Sequence, residues 1–555
     1  MTSRGSGIFE RLEECASRYP QRDALVFAPE AGNYAVTSYG QLHERALELE
    51  RGCRRLGVRP QDRIVFWNVV DPDAVALLLA LFAIGAMPVF VDPSTPTAEL
   101  DVCLDEIRPD GFIGIHRAHL LRLRHRRAFS NLRYAIVGRR FSWLPLPSYR
   151  TLTRASGQVE PTAEPACPAP WAGGSEPGEF ISYTTGTTGK PKGVVYTRGM
   201  VQASLSAWSA LELREEGDRN LSFGPIFSLL DMCLGVTAVL PRLDPRRPLA
   251  FDPLQLVRIM RDQRVTRSFA SPRIAEKLTR ACLDTGQTLP ALRVFMVGGA
   301  TVEESVLEGA NRILPNGEAY VCYGATEAVP ISLTPASQAL GHPPCMSERG
   351  ERGFLGGRPL GSIRAQVARV TTHGEGNTAW EELPPGAVGE LLITGPNVSR
   401  AYLGDAEITA RSKIQDGLDC WHRMGDLAYR DEDGNLYLCG RAGDRIEYAG
   451  RVFHAAPVER LFSTHPRVFR TALIHGQGGA PVIAVEPVRG AFPRDAVARE
   501  AFQRELRELA ATHALLDGLG DFFFHPGFPT DSRHGSKVQR RLLERDLAAS
   551  DRQGR

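Results

Sequence analysis

Tyr183-Thr-Thr-Gly-Thr-Thr-Gly-Lys-Pro-Lys-Gly-Val-Val-Tyr-Thr197 is the stretch on which the reading of this 555-residue chain turns. Four threonines, three glycines and two lysines take nine of the ten positions after Tyr183, and Pro191 takes the other. Glycine reaches backbone conformations that a Cβ resists, so successive N–H groups can converge on one anion. The threonine hydroxyls add short donors and the lysines add charge. The composition predicts a phosphate cradle formed by Thr184, Thr185, Gly186, Thr187, Thr188, Gly189 and Lys192. It is not a Walker A loop, because Pro191 follows Lys190 where that motif places Ser or Thr before a helix. A Thr/Gly surface hairpin is the rival reading. The flanks weigh against it, since strands are expected at 179–183 and 193–196.

Lysine usage sharpens the case. Of 66 Lys and Arg, only five are lysine: Lys190, Lys192, Lys277, Lys413 and Lys537. Ammonium is a compact point charge on a flexible stem, guanidinium a flat fork. A lysine kept in so arginine-rich a chain suggests a role that arginine does not fill. Two lie in the cradle. Lys537 lies in Ser532-Arg-His-Gly-Ser-Lys-Val-Gln-Arg-Arg541. Lys277 and Lys413 have no motif around them and are expected to be solvated helix charges.

The length suggests two or more domains, and 43% hydrophobic with 23% charged residues describes a globular protein. A net charge of +2 gives no argument for nucleic acid. The basic run 122–127 is short and reads as a solvated helix face. Ten cysteines occur singly, without a Cys-x-x-Cys or a Cys/His cluster, which favours reduced thiols in a cytoplasmic protein. No His-Glu-x-x-His and no Gly-x-Ser-x-Gly is present, and the charged N-terminus is no signal peptide. The uncharged run 74–91 is long enough on paper to span a bilayer. Gly85 and Pro88 interrupt it, so it reads instead as a buried helix, 74–84, then a buried parallel strand, 88–91.

Helical periodicity marks 8–18 and 42–56, and short apolar runs fall at 63–68, 111–114 and 135–137. A loop rich in Pro, Ala and Gly, 158–178, leads into the cradle. A second alternating series follows: helix 200–211, strand 220–223, helix 254–263, strand 267–270, helix 273–285, strand 292–297. Such alternation predicts parallel sheets covered by helices. From residue 386 short strands with turns take over, at 389–394, 425–430 and 436–439. A domain boundary is expected at 440–444, followed by a small α+β unit with segments at 472–475, 482–487 and 496–513.

Four further blocks carry chemistry. Val297-Gly-Gly-Ala300 ends a buried strand with glycines, so a flat ligand can lie against Gly299 and Ala300. Tyr323, Gly324, Ala325, Thr326 and Glu327 offer an aromatic face for adenine, a tight turn, a hydroxyl and a carboxylate that suits Mg²⁺ beside phosphates. Asp426 can accept from ribose hydroxyls, and Arg441 supplies a second ribose or phosphate contact. In these blocks, in this order, the chain resembles the adenylate-forming enzymes: acyl-CoA synthetases, luciferases and nonribosomal peptide adenylation domains. The resemblance spans nearly the whole chain. It implies an α/β fold whose large N-terminal domain has two helix-covered sheets and a smaller β-subdomain, followed by a small mobile α+β C-terminal domain. Residues 1–440 would be the adenylation domain with the ATP and acyl sites, 441–444 the hinge and 445–555 the cap. It further implies ATP and Mg²⁺, with Glu327 and Thr184 as metal ligands. A substrate carboxylate would attack the α-phosphate, with Lys537 steadying the charge that develops, and the small domain would then rotate for a second step.

Departures point to one branch. Pro225-Ile-Phe-Ser228 stands where many acyl-CoA synthetases have Pro-x-Phe-His, and Ile446-Glu447 where the family often has Ile-Lys. Ala449 replaces a common lysine, Gly443 replaces Asp or Lys, and Gly535-Ser536-Lys537 inverts Ser-Gly-Lys. With His422-Arg-Met-Gly-Asp426 and His525-Pro-Gly-Phe-Pro-Thr-Asp-Ser-Arg-His534, the chain is similar to the olefin β-lactone synthetases. That resemblance implies a long-chain 2-alkyl-3-hydroxy fatty acid whose own β-hydroxyl closes a β-lactone on the activated carbonyl. A thiolase, a reductase and a β-lactone decarboxylase would act in the same sequence. His422, His454 and Asp231 are candidate bases for the closure. A fatty-acyl-CoA synthetase, an acyl-AMP ligase loading a carrier protein and a silent nucleotide-binding subunit remain as rival readings.

Overall fold

The structure is a computed structural model. It describes residues 7–553 except 93–94, 140–141, 155–175, 185–189, 212, 224, 245–246, 248, 342–346, 348–349, 374–376, 514–515, 517–518 and 532–535. The expected phosphate-loop residues Thr185, Gly186, Thr187, Thr188 and Gly189 lie outside the described residues.

Local chemistry explains the element limits. Helix Tyr39–Arg55 starts at a capping box, in which Ser38 and Gln41 satisfy each other's backbone N–H groups. Helix Pro72–Ile84 begins with Asp71 accepting from the Ala74 N–H and with proline in its first turn. Gly85 stops it in the left-handed conformation at φ 78°. The helix is buried almost throughout, and strand Met87–Phe90 follows it. Among the described residues no helix is long and apolar enough to cross a membrane.

Two sheets with parallel centres form the large domain. The six-stranded sheet runs in the order Tyr134–Val137, Gly111–Gly114, Arg63–Trp67, Met87–Phe90, Gly178–Tyr183, Gly193–Thr197, with only the last pair antiparallel. The eight-stranded sheet places Ala328–Pro335, Glu318–Ala325, Val294–Gly298, Arg267–Ala270, Arg219–Ser222 and Thr237–Pro241 side by side, then Asp23–Glu30 and Asn33–Ser38. Its two edge pairs are antiparallel and its interior parallel. At residue 298 a Cβ would lie 2.2 Å from the Cys322 carbonyl oxygen. Only glycine lets these two strands run together, and their ends carry Gly299–Ala300 and Tyr323–Glu327 side by side.

The third sheet is antiparallel and includes Gly389–Thr394, Asp419–Arg430 and Leu436–Arg441, with Lys413–Asp416 paired to the long central strand. A 3-10 turn at Ala442–Asp444 follows it. The chain then builds a hairpin, Ile446–Tyr448 with Arg451–Phe453, and a three-stranded sheet, Val468–His475, Pro481–Pro487 and Phe522–Phe524. This small C-terminal domain has its own core around Phe462, Ile483, Phe502 and Leu506, all fully buried.

Candidate active site

One cavity of about 1680 Å³ opens where the sheets and the small domain meet. Thr184, Lys192, Gly299, Ala300, Tyr323, Gly324, Ala325, Thr326, Glu327, Asp426, Arg441 and Lys537 all line it. These twelve described residues, expected to bind ATP or act on it, therefore face one space, although their segments are separated by up to 353 positions in the numbering.

The cradle's base is a closed hairpin. Tyr183 pairs with Gly193, the Thr184 N–H donates to the Lys192 carbonyl at 3.0 Å, and the Lys192 N–H donates to Thr184 Oγ1 at 3.2 Å. The two cradle lysines differ. Lys190 Nζ is 2.5 Å from Glu106 Oε1 and 3.6 Å from Asp405 Oδ2, and its bond to Glu106 holds its pKa above the ordinary value. It staples the loop to the wall. Lys192 Nζ instead sits 5.1 Å from the centre of the Tyr402 ring.

Tyr402 leads to the centre of the site. Its hydroxyl donates to Glu327 Oε1 at 2.6 Å, and Lys413 Nζ lies 5.5 Å from the same ring. Lys413 is not the solvated charge expected from the sequence. It is 7% exposed, opposite His422 in the ladder, and its ammonium donates to the Ser399 carbonyl and, at 2.9 Å, to Ser399 Oγ. Lys277 is likewise engaged, donating to the Leu249 and Phe251 carbonyls at 2.7 and 2.6 Å. Burial opposes ionisation of Glu327, but the Tyr402 hydroxyl and the Lys413 charge outweigh it and hold its carboxyl below the usual value. Burial drives Lys413 down to about 8 against the pull of Glu327. Burial, with the Lys413 charge beside it, pushes His422 down to about 3. The cluster at neutral pH is thus an ionised Glu327, a charged Lys413 and a neutral His422.

Lys413 binds fewer protons folded than unfolded between pH 8 and its ordinary value of 10.5. Its charge therefore costs stability in full below pH 8, on the order of 3 kcal/mol, and the cost fades as pH rises. Denaturant titrations of Lys413→Met should show less gain in stability between pH 8 and 10.5 than the parent chain. An identical slope in the two proteins would refute the buried charge.

Toward the small domain, the Tyr323 hydroxyl donates to Asp426 Oδ2 at 2.7 Å. Arg441, directly opposite Asp426 in the ladder, places Nε 3.2 Å from Oδ1 and donates through Nη1 to the Met424 carbonyl at 2.8 Å. The Tyr196 hydroxyl donates at 2.5 Å to the Thr326 carbonyl, fastening the cradle's second strand to the Glu327 turn. Of the three candidate bases, only His422 lines the cavity. His454 Nδ1 is engaged by Glu351 Oε1 at 2.7 Å. Asp231 is buried against Asn220 and pushed up to about 6, chiefly by that burial. The Nδ1 of His422 faces the Ser412 carbonyl at 3.2 Å. An acceptor there requires Nδ1 to carry the proton and leaves the lone pair on Nε2.

The cavity continues between the two large sheets. Phe66, Leu78, Phe90, Ile226, Leu230 and Leu240, from both sheets and two helices, give it an apolar wall.

Two helix-covered sheets, an antiparallel third sheet and a small C-terminal domain closing on one shared cleft make the architecture of the adenylate-forming enzymes. Residues 12–403 match the family model described as AMP-binding enzyme. Over 98% of its length the chain is 34% identical to an olefin beta-lactone synthetase of Stenotrophomonas maltophilia, 98% of which is covered. It is also 34% identical, over 92% of its length and 91% of the relative's, to an olefin beta-lactone synthetase of Xanthomonas campestris pv. campestris. The O-succinylbenzoate coenzyme A synthetase of Bacillus subtilis, solved in complex with ATP and magnesium ion, matches in fold with a TM-score of 0.74 at 20% identity, over 96% of this chain and 98% of that one. The chain belongs to the AMP-binding enzyme family, is most like the olefin β-lactone synthetase branch and is an AMP-forming ligase.

Proposed function

We propose that this enzyme converts a long-chain 2-alkyl-3-hydroxy fatty acid, with ATP, into a β-lactone, AMP and pyrophosphate. The observation that carries the reading is the single cavity, in which Glu327, Asp426, Arg441 and Lys537 share a space with an apolar wall able to take an alkyl chain. Thr184 and Lys192, with the loop between them, would hold the phosphates, Gly299, Ala300 and Tyr323 to Thr326 the adenine, and Asp426 with Arg441 the ribose. The proposed boundaries 1–440, 441–444 and 445–555 are supported by the change of sheet around the 3-10 turn at Ala442–Asp444.

Mg²⁺ takes one or two protein oxygens together with the substrate's phosphates. Glu327, oriented by Tyr402, and Thr184 would hold it, and the ion would neutralise phosphate charge. In the first step an oxygen of the substrate carboxylate bonds to the α-phosphorus and the bond to pyrophosphate breaks. The Lys537 ammonium steadies the charge between the two anions. In the second step the β-hydroxyl oxygen bonds to the acyl carbonyl carbon, its proton passes to solvent, and the bond to AMP breaks so that AMP leaves. The attack is intramolecular, so holding the chain in one conformation replaces a site for a second substrate. Glu447, where a lysine would welcome an anionic coenzyme, is paired with Arg445 at 2.6 Å.

A thiolase and a reductase would supply the substrate, and a β-lactone decarboxylase would consume the product. The eight cysteines in described residues are all free, which fits a cytoplasmic enzyme. With ATP, Mg²⁺ and the hydroxy acid, mass spectrometry should find a product lighter than the acid by one water, with or without coenzyme A. A thioester would establish the acyl-CoA synthetase instead, and acyl transfer to a holo-carrier the acyl-AMP ligase.

A further inference from the structure

Helix His116–Arg124 forms part of the cavity's rim, where Arg117, Ala118 and Leu121 line it. Much of the helix is bare. Leu120 is 55%, Leu121 41% and Leu123 50% exposed. Trp143 is 71% exposed and stacks on His116, with ring centres 5.0 Å apart and planes 7° from parallel. Four of the twelve large hydrophobic side chains exposed among the described residues are therefore gathered here. Arg117, Arg124, Arg126 and Arg127 are exposed among them. Within the described residues none of these four forms an ion pair, although arginines such as Arg133, Arg198 and Arg293 do. His125 has Asp101 beside it, so one acid already faces the patch from the neighbouring helix.

Single exposed leucines are ordinary, but a cluster is not. An apolar protein partner would be poorly matched by a ring of uncompensated guanidinium groups. Leucine and tryptophan interleaved with arginine match an anionic bilayer, where the apolar side chains enter the acyl boundary and the cations meet the headgroups.

We propose that this patch docks the enzyme on an anionic lipid surface, with the mouth of the acyl cavity at headgroup level. Entry of a long-chain acid from the bilayer rests on the function proposed above; the docking does not.

The test uses the full chain without ATP or acid, mixed with vesicles of phosphatidylcholine alone or with added phosphatidylglycerol, and then sedimented. The parent chain should pellet with the anionic vesicles, stay in the supernatant with the neutral ones, and release as salt is raised. Leu120→Asp with Leu123→Asp should lower partitioning at least about tenfold. That variant should still turn over detergent-dispersed acid at the parent rate. Arg124→Glu with Arg126→Glu, which removes no apolar contact, should weaken partitioning too and guards against a folding defect in the first variant. A parent chain left in the supernatant with anionic vesicles overturns the docking, whatever the lactone assay gives. Equal sedimentation of parent and both variants also overturns it. So does a leucine variant whose only change is the loss of an oligomer, which would make the patch a subunit contact.

Discussion

Lys537→Ala should slow acyl-adenylate formation by about 10²- to 10³-fold, the usual effect of removing one well-placed electrostatic stabiliser. ATP binding should change little. The fold gives a reason to expect so clean a separation. The turn carrying Lys537 is held by its backbone: the Lys537 N–H donates to Asp531 Oδ1 at 2.8 Å, the Ser536 N–H to the same oxygen at 3.1 Å, and the Asp531 N–H to the Lys537 carbonyl at 2.9 Å. Residues Thr530 and Val538 add a bridge. None of these bonds uses the lysine side chain, so alanine keeps all of them and removes the ammonium from the cavity. Pyrophosphate exchange measures the chemistry and calorimetry with ATP the binding. Equal losses in both would make Lys537 a binding or folding residue and sink its proposed role.

Glu327→Gln should be nearly as damaging and should leave a second mark that Lys537→Ala does not. The amide keeps the shape and an oxygen for Tyr402 but loses the charge proposed to hold Mg²⁺, and adenylation should fall by about 10²-fold or more. The substitution also strips Lys413 of its neighbouring negative charge. Glu327 raises the lysine's pKa against burial, so without it the value should drop below about 8. The folded state would then lose its Lys413 proton at lower pH, and the stabilisation gained on the alkaline side would begin earlier. Denaturant titrations across pH would read the displacement. Unchanged alkaline behaviour would mean that Glu327 and Lys413 do not interact.

Much of this was legible in the sequence because its signals are local. The strands at 111–114, 267–270 and 389–394 and the helix at 8–18 fall where alternation and 3.6-residue periodicity place them. The cavity-lining blocks are short motifs with their own turn chemistry. Lys413 was misread because its burial comes from a cross-strand neighbour, His422, and from Ser399, with no motif between them. The scarcity of lysine that drew attention to Lys537 applied equally to Lys413 and was the signal that could have found it. Tyr402 had no comparable signal. Its role depends on Glu327, 75 positions earlier, and on two ammonium groups reaching its ring from distant segments, Lys192 and Lys413. Nor does periodicity foretell that strand Asp23–Glu30 lies beside Thr237–Pro241, since long-range pairing in a parallel sheet is set by packing.

The missing side chain at residue 298 bears on how such an enzyme can diversify. Even a methyl group there would wedge apart the two strands that present the nucleotide-facing turns, so mutational drift at that spot is closed to any lineage that keeps the activity. Variation in the acids accepted has to arise elsewhere, and Leu78, Leu230 and Leu240 are where directed libraries should begin: each comes from a different element, so each can be resized while the catalytic strands stay in register.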